Sequence, residues 1–363
     1  MTLEDLGYSR EMECFRKEQQ LDAFGVGRVT AVHRERYVVK TAEREYEGEI
    51  IGNLRFTARN QADFPVVGDW VAISEYDEGK VLIHAVFPRK TVIERQAAGK
   101  QGEKQIIASN IDYALIVQAA DRDFNLNRAE RYLTICNTSG VKPLLVLNKT
   151  DLIGEEQLER LRSLVLKRIE GVPLFCISNE TGEGIKDLNE HIEKGRTYCL
   201  LGSSGVGKST LTNILSGNSV AMSGKSVMKT GSTSESTGKG RHVTSHRELL
   251  VLGNGGLLID NPGMREVGIA DSAEGLEITF DMIGRLAREC RFRDCTHVSE
   301  EGCAVIAAVD RGEIDRSVYE NFLKMEREKE HFESTIAEKR QKDKDFGKMV
   351  KEFKKQKSRG RHD

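Results

Sequence analysis

Between residues 26 and 95, apolar and polar positions alternate in five short stretches: VGRVTAVH, RYVVKTA, EYEGEII, DWVAISEY and KVLIHAVF. Charged or Gly/Pro-containing turns part them. A period of two with no helical period between the stretches predicts half-buried strands, and this many strands in so short a span predict a small β-barrel. The pattern fits an OB-fold and leaves an SH3-like barrel open. Trp70, which follows VVGD, is read as a packing residue rather than a base-stacking one. After the polar stretch QAAGKQGEKQ the texture changes. YALIVQAA, KPLLVLNK, VPLFCIS, TYCLLG, HRELLVL and GGLLID read as strands, with amphipathic segments such as RAERYLTICNTS and EEQLERLRSLVLKRIE between the first four. Strands alternating with helices predict a doubly wound α/β sheet, whose ligands bind at the carboxyl ends of its strands.

The 363 residues suit two or three domains. Hydrophobic residues make up 38% and charged residues 31%, and the apolar runs are too short to cross a bilayer. The start, MTLEDLGYSREMECFRKEQQ, carries acids where a secretory signal needs a basic start and an apolar centre, so a cytoplasmic protein without membrane partners is expected. Seven cysteines, three of them crowded near the end, argue against a disulfide framework. The net charge of -2 hides an uneven distribution: from Lys339 to Arg361 there are eleven Lys or Arg against three acids, a surplus that attracts polyanions.

The chemistry lies at the strand ends. GSSGVGKST, Gly202, Ser203, Ser204, Gly205, Val206, Gly207, Lys208, Ser209 and Thr210, contains GxxxxGK[ST] between the strand TYCLL and the helix KSTLTNILSG. Backbone N–H groups and the helix amino end are expected to hold phosphates, with Lys208 on the β and γ phosphates and Ser209 on Mg²⁺. In NKTD, Asn148, Lys149, Thr150 and Asp151, the Asp151 carboxylate suits the N1–H and exocyclic amine of guanine. Asn148 braces the loop and the stem of Lys149 covers the base. A wrong base leaves Asp151 unpaired, which selects GTP over ATP. Ser178 and Asn179, ending LFCIS, are expected to support the base. DNPG closes another strand, with Asp260 expected on the Mg²⁺ shell and the Gly263 N–H at the γ phosphate. Met264 stands where many GTPases place a water-orienting glutamine, and a thioether cannot fill that role. His242 is the candidate catalytic residue and Thr244 the candidate Mg²⁺ hydroxyl, both in the polar loop before DNPG.

The base-reading motif thus precedes the phosphate-reading one. Site geometry depends on where loops lie in space, and chains are permuted where old termini lie close together. The order NKTD, SN, GSSGVGKS, GRHVT, DNPG is read as a circularly permuted GTPase. Beyond it, Cys290, Cys295, His297 and Cys303 offer three thiolates and an imidazole, a set suited to one closed, structural Zn²⁺ site. A helix and the basic tail follow.

With these residues in place the chain resembles the ribosome small-subunit-dependent GTPase A (RsgA) family along nearly its whole length. The likeness runs from PVVGDWV and VFPRK through QIIASNIDYALIV to NKTD, GSSGVGKST, GRHVT, DNPG and the Cys/His array. It implies an OB-fold, a permuted P-loop GTPase domain and a small, mostly helical zinc-binding domain. It also implies GTP/GDP with Mg²⁺, late maturation of the small ribosomal subunit, contact with its rRNA, and hydrolysis stimulated by that subunit. The expected domains are an extension (1–24), the barrel (25–98), the GTPase domain (105–272), the zinc domain with its helix (273–338) and the basic tail (339–363), with a monomer as the default state. Where the family often carries a threonine run after GRH, this chain has Val243, Thr244 and Ser245. A large-subunit permuted GTPase and a GTP-dependent metallochaperone are the rival readings.

Overall fold

The computed structural model describes residues 1–33, 36–58, 60–96, 104–121, 124–217, 248–260 and 273–330. They fall in two compact units, 1–94 with 106–267, and 95–105 with 268–363.

In the first unit, helix α1 (Arg10–Glu18), capped by Ser9, precedes the barrel. The barrel strands are β1 (Gly25–His33), β2 (Arg36–Lys40), β3 (Glu45–Ile50), β4 (Trp70–Asp77) and β5 (Lys80–Val86), with α2 (Gly52–Thr57) between β3 and β4. They close as β1-β2-β3-β5-β4-β1, antiparallel except for the β3–β5 pair. That closed five-strand Greek key is an OB-fold, which resolves the choice the alternation pattern left open. Val29, Val39, Val71, Ile73, Val81 and Ile83 fill its interior. Trp70 is fully buried, edge-on to Tyr8 at 5.0 Å, so it packs, as its sequence context suggested.

The polar stretch around 97–103 is flanked by paired strands, β6 (Val92–Gln96) and β7 (Lys104–Ser109). The nucleotide-type sheet then runs β8 (Tyr113–Ala119), β9 (Lys142–Asn148), β10 (Leu174–Cys176), β11 (Thr197–Leu201), β12 (Glu248–Val251) and β13 (Leu257–Asp260). Its order is β10-β9-β8-β11-β13-β12, parallel except for β12. Helices α3 (Leu126–Ser139), α4 (Glu155–Arg168), α5 (Ile185–His191) and α6 (Lys208–Leu215) intervene. The near-continuous apolar runs of β8, β9 and β11 reflect burial on both faces: Leu115, Ile116, Val117, Leu145, Val146 and Leu200 expose 3% or less.

The barrel is welded to this sheet. Glu248 of β12 pairs with Asp260 of β13 on one side and with Ala31 of β1 on the other, so one sheet of eleven strands runs through both. Beneath the weld, buried Arg28 donates to the carbonyls of Leu6 (2.6 Å), Gly68 (3.2 Å) and Asn110 (3.0 Å), tying the amino-terminal turn, the barrel and the strand entry together. Burial lowers its pKa to about 10, with Asp112 and Asp69 opposing the shift. Asp69, also buried, accepts from Arg89 Nε (2.8 Å) and Nη2 (2.7 Å) and from Ser109 Oγ (2.5 Å). A Cβ on Gly68, at φ +95°, would stand 2.2 Å from the Ser109 carbonyl, so only glycine allows this approach.

The second unit holds helices Ala273–Thr279, Asp281–Ala287 and Ala304–Asp310 and a helix over 316–330. Leu276, Phe280, Ile283, Val305, Ala308 and Met325 form its own small core. The basic tail lies outside the described residues.

Candidate functional site

The phosphate loop leaves β11 at Gly202 and enters α6 at Lys208. Val206 is buried in the sheet's core, which anchors the middle of the loop, while Ser203, Ser204 and Gly205 form its half-exposed rim. Ser209 and Thr210 occupy the first turn of α6. Lys208 Nζ donates to the carbonyls of Gly202 (2.8 Å) and Ser203, so the ammonium lies across the loop's mouth. Arg128, on α3, donates to Ser203 Oγ at 2.5 Å and puts a second cation beside the loop.

The NKTD residues are locked onto this loop despite their distance in sequence. Fully buried Asn148 donates through Nδ2 to the Val206 carbonyl at 2.7 Å and accepts from the Asn179 N–H at 3.2 Å. Asn179 in turn donates to the Gly207 carbonyl at 2.9 Å. A Cβ on Gly207 would stand 2.3 Å from Asn148 Nδ2 and 2.8 Å from Asn179 Nδ2. Glycine is therefore required there by the base-side loops as well as by its own φ of +97°.

Ser178 Oγ donates to Asp151 Oδ1 at 2.6 Å and accepts from the N–H groups of Glu180 (3.2 Å) and Thr181 (3.1 Å), which fixes the direction of the carboxylate. Thr150, at the start of a short 3-10 turn, is held by its N–H on the Ile177 carbonyl at 3.2 Å. Lys149 adopts a left-handed backbone, φ 64°, and its ammonium meets Asp121 at 2.9 Å, stretching its stem along the site. For a non-glycine residue that conformation costs on the order of 1 kcal/mol and persists where the surroundings impose it.

Asp260 is buried at the carboxyl end of β13. Because β13 and β11 pair in parallel through Ile259 and Cys199, Asp260 stands one residue past that pair, on the sheet edge from which Gly202 also leaves. Asn148, Lys149, Thr150, Asp151, Ser178, Asn179, the Gly202–Thr210 loop and Asp260 thus share one edge of the sheet. His242, Thr244 and Gly263 lie outside the described residues. Arg128 and Asp121 were not singled out from the sequence. Their signal was slight: each is one polar residue next to an element boundary.

In the second unit Cys290, Cys295, His297 and Cys303 bring their ligand atoms within 4.8 Å of one another. Cys290 Sγ lies 3.8 Å from Cys303 Sγ and 3.6 Å from His297 Nδ1, and the latter is 3.4 Å from Cys303 Sγ. Zinc–sulfur bonds of about 2.3 Å place tetrahedral ligands about 3.8 Å apart, so the set fits a four-coordinate zinc ion. Burial lowers the His297 pKa, which favours the neutral, ligating imidazole. The Glu300 carboxylate accepts from the N–H groups of Thr296 (2.8 Å), Val298 (2.9 Å) and Ser299 (3.0 Å) and from the Thr296 hydroxyl, fastening the turn that carries His297. These bonds hold its pKa well below the usual carboxylate range.

A phosphate loop, a guanine-type NKxD loop clasped to it and the strand-end Asp260 on one sheet edge, met by the chain in rotated order, define a circularly permuted P-loop GTPase. The family model described as RsgA GTPase matches residues 86–270. Among curated relatives, small ribosomal subunit biogenesis GTPase RsgA 1 of Bacteroides thetaiotaomicron is 40% identical over 347 residues, 95% of each chain. RsgA 2 of Listeria monocytogenes is 42% identical over 330 residues, covering 90% of this chain and 89% of its own. The chain belongs to the RsgA GTPase family and is a GTP hydrolase. YjeQ from Thermotoga maritima shares the structure at TM-score 0.61 with 26% identity, over 83% of this chain and 96% of its own. The circularly permuted GTPase YloQ shares the fold at TM-score 0.58 with 21% identity, over 87% and 96%. A model described as ABC transporter also matches, over 185–360, a span that takes in the phosphate loop. No helix among the described residues is long and apolar enough to cross a membrane.

Proposed function

We propose that this protein binds the small ribosomal subunit, acts late in its maturation and uses GTP hydrolysis as a conformational switch. The carrying observation is the clasp of Asn148 and Asn179 on the carbonyls of Val206 and Gly207, which makes base reading and phosphate reading a single event. The curated relatives' names supply the ribosomal setting. Asp151 reads guanine, Lys208 meets the β and γ phosphates, and Ser209, Thr244 and Asp260 hold Mg²⁺ directly or through water. Gly263 senses the γ phosphate, and His242 orients the attacking water in a chain with Met264 at the glutamine position. One Zn²⁺ on Cys290, Cys295, His297 and Cys303 staples the carboxy-terminal module.

Barrel, zinc module and basic tail together grip rRNA phosphates, so binding weakens steeply with salt. The protein works as a cytoplasmic monomer. The test is GTP turnover by the wild type and His242→Ala, with and without each purified ribosomal subunit. The reading requires slow turnover alone, strong stimulation by the small subunit only, and loss of that stimulation in the variant. Turnover indifferent to small subunits at low salt would end it.

A further inference from the structure

The turn that leads into the zinc ligands carries more than ligands. Residues 285–293 hold four arginines and one acid, with Phe292 set between Arg291 and Arg293. Phe292 is 46% exposed, unusual for a phenylalanine on a small module with its own core. The Arg291 guanidinium lies 5.4 Å from its ring centroid. Arg285 is paired with Asp281 at 3.1 Å, but among the described residues no carboxylate pairs with Arg288, Arg291 or Arg293, and all three are exposed. The Arg291 N–H donates to the Gly302 carbonyl at 3.1 Å, which holds this Arg-Phe-Arg turn against the loop that delivers Cys303.

Beside the turn opens a cavity of about 370 Å³, within the range of small-ligand sites. Its apolar wall comes from Phe280, Ile283 and Phe322, and Arg288, Phe292 and Arg293 also line it. Two carboxylates line it as well, Glu277 and Glu326, the latter paired with Lys329 at 2.8 Å, and Cys290 and His297 of the metal cluster border it. Unpaired cations around an exposed aromatic ring form the stacking platform that single-stranded nucleic acid binds, phosphates on the cations and a base on the ring. Carboxylates accept from an exocyclic amine such as that of cytosine, whereas uracil has none to offer.

We propose that this cavity takes one unstacked, amine-bearing base of a single RNA strand, stacked on Phe292 with its phosphates on Arg288 and Arg293. The inference rests on the reading that the zinc module meets rRNA and gives that contact a place and a chemistry.

The test uses the full-length, zinc-loaded protein. Phe292→Trp places an indole at the platform, and the buried Trp70 serves as a constant background. Short oligocytidine should quench the new emission saturably and more tightly than oligouridine. Phe292→Leu should weaken oligocytidine binding about 5- to 50-fold with the salt slope unchanged. Arg288→Ala with Arg293→Ala should flatten that slope by about 0.7 per lost phosphate contact. Zinc content and circular dichroism confirm that each variant is folded. The proposal falls if the Phe292→Trp emission ignores both strands, or if Phe292→Leu binds like the wild type. Quenching by small subunits but by no RNA strand would assign the platform to a protein partner and also overturn it. Cosedimentation with small subunits while the emission stays unchanged refutes the platform alone, whereas absence of cosedimentation refutes the ribosomal reading.

Discussion

Gly207→Ala probes whether the two reading loops work as one. The added methyl would stand 2.3 Å from Asn148 Nδ2 and 2.8 Å from Asn179 Nδ2. Side-chain ends often move aside cheaply, but these two are committed, Asn148 to Val206 at 2.7 Å and Asn179 to Gly207 at 2.9 Å. Losing both bonds costs about 0.5–1.5 kcal/mol each. Holding alanine at φ +97° adds about 1–3 kcal/mol. The middle of that range is about 4 kcal/mol, and at about 1.4 kcal/mol per tenfold, guanine-nucleotide affinity should fall roughly 10²- to 10³-fold. An empty loop can relax by releasing the asparagines, so the loss should appear in binding more than in thermal stability. Calorimetric titration with GDP and ADP reads it. Because Asn148 is dislodged, the preference for GDP over ADP should narrow along with the affinity. GDP affinity within about threefold of wild type would refute the reasoning, and so would a large loss that leaves the GDP/ADP ratio intact.

The other expectations concern the weld and the metal turn. Arg28→Met removes the buried cation and orphans the carbonyls of Leu6, Gly68 and Asn110, so the urea midpoint should fall by the equivalent of about 3–5 kcal/mol. An unchanged midpoint would mean that the joint contributes nothing. Glu300→Ala unfastens the His297 turn and should weaken zinc about 10- to 100-fold in competition with a chelating indicator, with GDP affinity unmoved.

Much of this molecule was readable beforehand because its chemistry is local. The phosphate loop, NKTD and DNPG each sit at the end of an apolar run, and a strand followed by a turn gives away its ligand edge. The Cys/His array was legible because three thiols and an imidazole crowded into one short segment match the donor set of a closed metal site. The barrel's strands were visible as alternation, but its closure was not, since pairing β3 with β5 rather than β4 is a long-range choice that no local period encodes. The weld was hidden for the same reason. Arg28, Asp69, Arg89 and Asn110 read singly as polar residues in or beside strands, and only the folded chain brings Arg28 onto the Asn110 carbonyl and Arg89 onto Asp69. Nothing in the local pattern sets Phe292 apart from other apolar residues; its exposure is a property of the fold.

The position of β12 bears on how the chain can be made and cut. A strand with one open side is a template for foreign strands, and proteins keep such sides short, charged or covered. Here the barrel's β1 takes that side of β12, and the opposite margin of the sheet ends in β10, only three residues long. The barrel leaves the ribosome long before β12 does, so a folded docking rail is ready when the last strands arrive. A fragment trimmed to the nucleotide-binding half would bare that rail's counterpart, and clumping of such fragments is the expected result of removing the barrel.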